Sequence, residues 1–176
     1  MRIFQVNKLW ENIFKSRQNE ADEIDNILLK IPIFQDLKDR ELRTVKRILY
    51  QREYKRDEII FNQGDAGLGM YIIVKGTVEI VCGPERHMLA ELSEGDFFGE
   101  LALLDDSPRS ATAVSKTPCK ILCFFKPELL DIINRNPGLG SKILFKLAWT
   151  IGERLKITNE QVSELSNMRH RERLDS

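Results

Sequence analysis

Apolar residues recur along this chain with two different periods, and the switches between them divide it into segments. From Met1 to Arg17, Ile3, Val6, Trp10 and Ile13 fall at helical spacing, with Phe4, Leu9 and Phe14 widening the face, which predicts an amphipathic helix. An acidic stretch from Glu20 to Asp25 separates it from the run Ile27 to Phe34, near which the domain proper starts. Pro32 breaks the helix there, and Leu37, Leu42, Val45 and Ile48 predict a second one over Asp36 to Ile48. Between Leu49 and Phe125 the pattern changes to short β-branched and aromatic runs. These are Glu58 to Phe61, Met70 to Val74, Thr77 to Cys82, Met88 to Leu92, Ala111 to Val114 and Lys120 to Phe125, with Leu89 to Phe97 reading as a strand that ends in the turn Glu94-Gly95-Asp96. Glycines at 64, 76, 83 and 95 separate runs of this kind, which predicts an antiparallel barrel or jelly roll.

After Pro127 the helical period returns, first in a short helix over Glu128 to Asn134 that stops at Asn136-Pro137-Gly138, then in a long one. Leu144, Ala148, Ile151, Leu155, Val162 and Leu165 alternate steps of three and four along it, interrupted at Thr158. Packing on the barrel explains part of such a stripe. Its length favours a heptad seam and a parallel homodimer. The expected architecture is therefore α+β: a β jelly-roll barrel flanked by N-terminal helices and a long C-terminal helix. The expected segments are a helical extension (1–27), a β-roll domain (28–136), a dimer helix (137–170) and a tail (171–176).

Charge adds little to this picture. With 27 basic and 27 acidic residues the net charge is zero, so nothing global points to nucleic acid as a partner. The N-terminal segment is locally basic through Arg2, Lys8, Lys15 and Arg17, which suits peripheral contact with a membrane surface; packing on the domain or a neighbouring subunit is favoured over that. Cys82, Cys119 and Cys123 lie in apolar runs and are odd in number, so buried free thiols, a reducing cytoplasm and no metal are expected. No signal peptide or membrane-spanning run is visible. His87 has no partner at ligand spacing, and Asp105 and Asp106 read as loop formers.

The chemistry concentrates between Phe98 and Thr112. Gly99 lets an anion approach the backbone, and Leu101 and Ala102 follow Glu100 into a short helix whose first amides and positive dipole end favour negative charge. Arg109, just after Pro108, supplies a fork of donors that fits phosphate oxygens, with Ser110 and Ala111 next in line. Glu100 makes sense beside a phosphate only as an acceptor for sugar hydroxyls. A ribose-phosphate is the ligand these residues suit. No nucleophile and base pair, metal set or Walker-type loop is visible, and an enzyme is not expected.

Gly99-Glu100-Leu101-Ala102-Leu103 followed by Arg109-Ser110-Ala111-Thr112 closely resembles the phosphate-binding cassette of the cyclic nucleotide-binding domain family. Gly64 to Ile80 resembles that family's glycine-punctuated core strands, and Glu153 to Val162 resembles the dimer helix of the bacterial catabolite activators. The resemblance implies that Arg109, Ser110 and the amides near Gly99 to Ala102 hold a phosphate, that Glu100 takes the ribose 2′-hydroxyl, and that Thr158 and Asn159 meet the base across a dimer. Asn159 keeps the polarity of the activators' residue but not its shape. The implied function is a non-catalytic cyclic nucleotide sensor of a cytoplasmic signalling system, with cAMP favoured over cGMP and a cyclic dinucleotide third. Its downstream protein partner is not legible. The alternatives are a docking scaffold with a vestigial site and a fragment of a transcription factor whose DNA-binding module lies elsewhere.

Overall fold

The structure, a computed structural model, describes residues 22–174, without side chains at 165 and from 169 onward. The amphipathic segment 1–17 lies outside the described residues. Within them, helix α1 covers 22–30 and α2 spans Asp39–Lys46. Eight strands follow: β1 (Tyr50–Tyr54), β2 (Ile59–Phe61), β3 (Gly69–Lys75), β4 (Val78–Cys82), β5 (His87–Leu92), β6 (Phe97–Phe98), β7 (Thr112–Ser115) and β8 (Cys119–Phe125). A 3-10 helix, Glu100–Leu103, sits between β6 and β7, and α3 (Lys126–Arg135) and α4 (Pro137–Leu174) close the chain.

The strands form two four-stranded antiparallel sheets, β1-β8-β3-β6 and β2-β7-β4-β5. They make a jelly roll, as expected, but the two sheets do not close into a single barrel. β3 and β8, the central strands of the first sheet, are buried on both faces, and strand alternation assigns their residues. Met70, Ile72 and Val74 of β3 and Leu122 and Phe124 of β8 join a core with Ile27, Leu28, Ile143 and Leu147 of the helices. Tyr71 and Ile73 of β3 and Ile121 and Cys123 of β8 point the other way, into the roll with Phe98 and Ala113. β6 divides in the same manner, Phe97 toward the helices and Phe98 toward the interior. This two-sided burial explains why β3 and β8 read as continuous apolar runs.

β1 is the strand the hydrophobic pattern does not announce. Its sequence, Tyr-Gln-Arg-Glu-Tyr, is exposed at four of five positions because it lies at the edge of the sheet, where charged side chains discourage pairing with other chains. Cross-strand pairing of Tyr50 with Cys123 through Tyr54 with Cys119 fixes it instead.

The apolar stripe of α4 divides. Leu139, Ile143 and Leu147 are fully buried against the domain, and Leu144 and Ile151 pack partly against the same core. Ala148, Leu155 and Val162 are exposed, so the barrel takes the first part of the expected seam and leaves the rest uncovered in the single chain.

The cysteines are free thiols, Cys82 half-buried and the other two buried. Burial pushes the Cys123 thiol up to about 11 and the Tyr54 phenol up to about 12. Both shifts raise the folded-state value, so the folded chain keeps protons that the unfolded chain gives up. Their contribution is intact below pH 9 and lost as pH rises through about 9 to 12. The expected result is a urea midpoint that declines across that window, with Cys123→Ala removing the lower part of the decline. A midpoint that stays flat from pH 8 to about 11 contradicts this.

Candidate ligand-binding site

The turn between β6 and the 3-10 helix depends on Gly99. Its φ of +72° is one that side chains rarely adopt, and a Cβ there would stand 2.6 Å from Nη1 of Arg109. The turn reverses the chain so that Glu100 opens the short helix from a buried position, 7% exposed. Ala102 packs inward beside Gly67, Leu101 is half-exposed, and the Ala102 amide donates back to the Gly99 carbonyl at 3.3 Å. Asp105 then caps the loop by accepting from Ser107 Oγ at 2.8 Å, and Asp106 pairs with Lys126, which is the loop-forming role expected of both.

Arg109 is held at its backbone first. Its amide donates to the Asp65 carbonyl at 2.8 Å, its own carbonyl accepts from the Gly64 amide at 2.9 Å, and Pro108 bridges to Ala66. The side chain turns into the protein and is 7% exposed. Nη1 donates to the Gly99 carbonyl at 3.0 Å and Nη2 to the Gly69 carbonyl at 2.7 Å, while Nε is buried without a hydrogen-bond acceptor. The guanidinium carbon lies 4.2 Å from the centre of the Phe61 ring and 5.4 Å from that of Tyr71. Among the described residues no carboxylate pairs with it. Burial pushes the Tyr71 phenol up, and the Arg109 charge beside it opposes that shift. Ser110 is exposed and Ala111 buried.

Glu100 has a partner that the sequence pattern does not announce. Arg154 of α4 donates from Nη1 to Glu100 Oε1 at 2.6 Å and from Nη2 to the Phe97 carbonyl at 2.9 Å, and its guanidinium carbon lies 4.4 Å over the Phe97 ring. The long helix is thereby fastened to the cassette. Thr158, four residues further on, falls on the same helix face as Arg154, and its hydroxyl donates to the Arg154 carbonyl at 2.9 Å. Thr158 and Asn159 are both exposed, beyond the reach of the buried stripe. The fold thus brings Phe98 through Ala102 and Pro108 through Ala111 into one place and sets Thr158 one turn past its edge. A cue to Arg154 exists in the sequence: it lies at the helical spacing of four from Thr158.

Residues 51–136 match the family model described as the cyclic nucleotide-binding domain. The chain contains a cyclic nucleotide-binding domain. Among its relatives, the cyclic AMP receptor protein of Thermus thermophilus is 32% identical over 125 residues, covering 69% of this chain and 58% of that protein. The cAMP-dependent protein kinase regulatory subunit of Colletotrichum orbiculare is 33% identical over 131 residues, covering 74% of this chain and 32% of that one. A solved cyclic nucleotide-binding domain from Methylobacillus flagellatus superimposes with a TM-score of 0.71 at 25% identity, over 82% of this chain and 83% of that one. The chain therefore spans from about a third to somewhat over half of the length of these two curated relatives. In this chain the jelly roll carries the loop from Gly99 to Ala111 between β6 and β7, and the long helix α4 follows it. Among the described residues no helix is long and apolar enough to cross a membrane.

Proposed function

We propose that this cyclic nucleotide-binding domain senses cAMP, with cGMP as the alternative ligand, and passes the signal through α4 to a protein partner. The observation that carries the reading is Arg109, a buried cation with no carboxylate partner among the described residues and an unused Nε donor, beside a glycine turn and helix-start amides. A buried charge without a counterion leaves a strong demand for an anion of matching shape. A cyclic phosphate supplies it. In this reading the phosphate meets Arg109, Ser110 and the amides from Gly99 to Ala102, and the ribose 2′-hydroxyl donates to Glu100. Relatives named as a cyclic AMP receptor and as cAMP-dependent kinase regulatory subunits favour cAMP.

Glu100 then has two suitors, the sugar and Arg154. A ligand shifts a conformational balance only by interacting differently with its two states. A hydroxyl that takes part of the Glu100 carboxylate weakens the tie of α4 to the cassette, which is such a difference. The exposed part of the α4 stripe suits a parallel homodimer that would set Thr158 and Asn159 of one helix against the base in the other subunit.

Isothermal titration with cAMP, cGMP and cyclic dinucleotides tests the ligand. Saturable binding of cAMP, weaker binding of cGMP, and loss of both in Arg109→Ala is the expected pattern. Binding of none turns the domain into a scaffold. Replacing Arg154 with leucine is expected to change cAMP affinity by about three- to thirtyfold, as for removal of one partner of a half-buried ion pair. It should also raise hydrogen exchange along the middle of α4. Unaltered exchange would mean that the pair does not fasten the helix.

A further inference from the structure

We propose that Phe61 is a positioning residue for anion binding: its ring holds the Arg109 guanidinium in place without neutralising it. The inference rests on the sensor reading and adds to it how the essential cation is kept ready. A buried arginine is ordinarily held by a carboxylate, the kind of partner that Glu100 gives the more exposed Arg154 here. A carboxylate beside Arg109 would fix the side chain but cancel its charge and repel an incoming phosphate. An aromatic face attracts a cation through its quadrupole and carries no net charge. The Phe61 ring centre at 4.2 Å from the guanidinium carbon satisfies that geometry.

The ring is itself fixed. Phe61 is the last residue of β2, at a register irregularity where it pairs with Ala113, and it projects from the second sheet toward the first. There it meets Tyr71 at 5.4 Å and Phe98 at 5.8 Å between ring centres. Tyr71 and Phe98 are cross-strand partners stacked at 5.4 Å with an interplanar angle of 16°. Three rings from both sheets therefore make one rigid wall. The carbonyls of Gly69 and Gly99 hold the guanidinium edge, and the wall holds its face. Such a cradle leaves the Nε donor without an acceptor of the protein's own. Side chains held in this way lose less freedom on binding, and affinity rises accordingly.

The test is a cycle of variants in the full chain, read by calorimetry with cAMP and by the Arg109 Nε–H resonance. Phe61→Leu, which keeps an apolar side chain, is expected to weaken cAMP about tenfold, and Phe61→Tyr to stay within about twofold of the parent. In an Arg109→Lys background, Phe61→Leu should add less than about threefold, because the planar group that the ring holds is gone. In the ligand-free protein the Arg109 Nε–H proton should be shifted upfield by the ring, and Phe61→Leu should remove that shift. An unchanged affinity in Phe61→Leu, or an equal loss in the Arg109→Lys background, would overturn the proposal and leave the sensor reading intact. Should the parent bind no cyclic nucleotide while keeping the upfield resonance, the ligand reading fails and the ring's hold on Arg109 stands. Absence of the upfield shift removes that hold.

Discussion

Replacing Arg109 with alanine is expected to lower cAMP affinity by about 2–5 kcal/mol, a loss of roughly thirtyfold to several thousandfold. The size follows from burial. Arg109 is 7% exposed, so its charge acts where water screens little, and its unused Nε is a donor that an incoming anion would satisfy. Removing it also strands the carbonyls of Gly69 and Gly99, which accept from it in the free protein, so the cassette turn loosens as well. Arg109→Lys separates the two effects. Lysine keeps the charge but not the fork, and it should recover only part of the affinity. Calorimetry that finds Arg109→Ala as tight as the parent would sink the assignment of the phosphate site.

Phe124→Ala carries the largest expected effect on stability, a loss of about 3–5 kcal/mol. Phe124 is fully buried at the junction of the first sheet with the helices, with Phe34 edge-on at 6.0 Å. Its neighbours come from a strand on one side and from helices on the other, so the cavity cannot close without moving an element. The backbone offers no slack either: a Cβ on Gly69, whose cross-strand partner is the next residue Phe125, would run into the Phe124 carbonyl oxygen. Urea denaturation with an unchanged slope reads the loss directly. A shift worth less than about 1 kcal/mol would show that this junction relaxes more readily than close packing allows.

Sequence patterns carry the structure in some elements of this chain and lose it in others. β3 and β8 were legible because burial on both faces made them continuously apolar, and α4 because its helical period runs without a break. β1 was not legible, since an edge strand with charged residues has no pattern of its own and exists through its pairing with β8. The α4 stripe is shared between two uses: Leu144 and Ile151 pack partly against the domain core, while Ala148, Leu155 and Val162 stay exposed. A helix that packs on its own domain and leaves a second flank uncovered presents two stripes, about a quarter turn apart, and a one-dimensional period merges them.

For the site, the cassette from Phe98 to Ala111 could be read from the chain because its parts are close in sequence. A glycine turn, a helix start and an arginine within one short loop are recognisable together in the chain whatever surrounds them. The partners of those residues come from elsewhere in the chain. Arg154 reaches Glu100 from 54 residues away, Gly69 meets Arg109 across 40, and Phe61 stacks on Arg109 from β2, the strand paired with β7. Apart from the spacing of Arg154 from Thr158, these contacts leave no local pattern to detect. The chain by itself determined the elements, their alternation and the charge pattern of the cassette, because those follow from backbone periodicity and local turn chemistry. Only the tertiary structure decided which cation stays unpaired and which is taken up, because burial and pairing depend on residues that folding alone brings together.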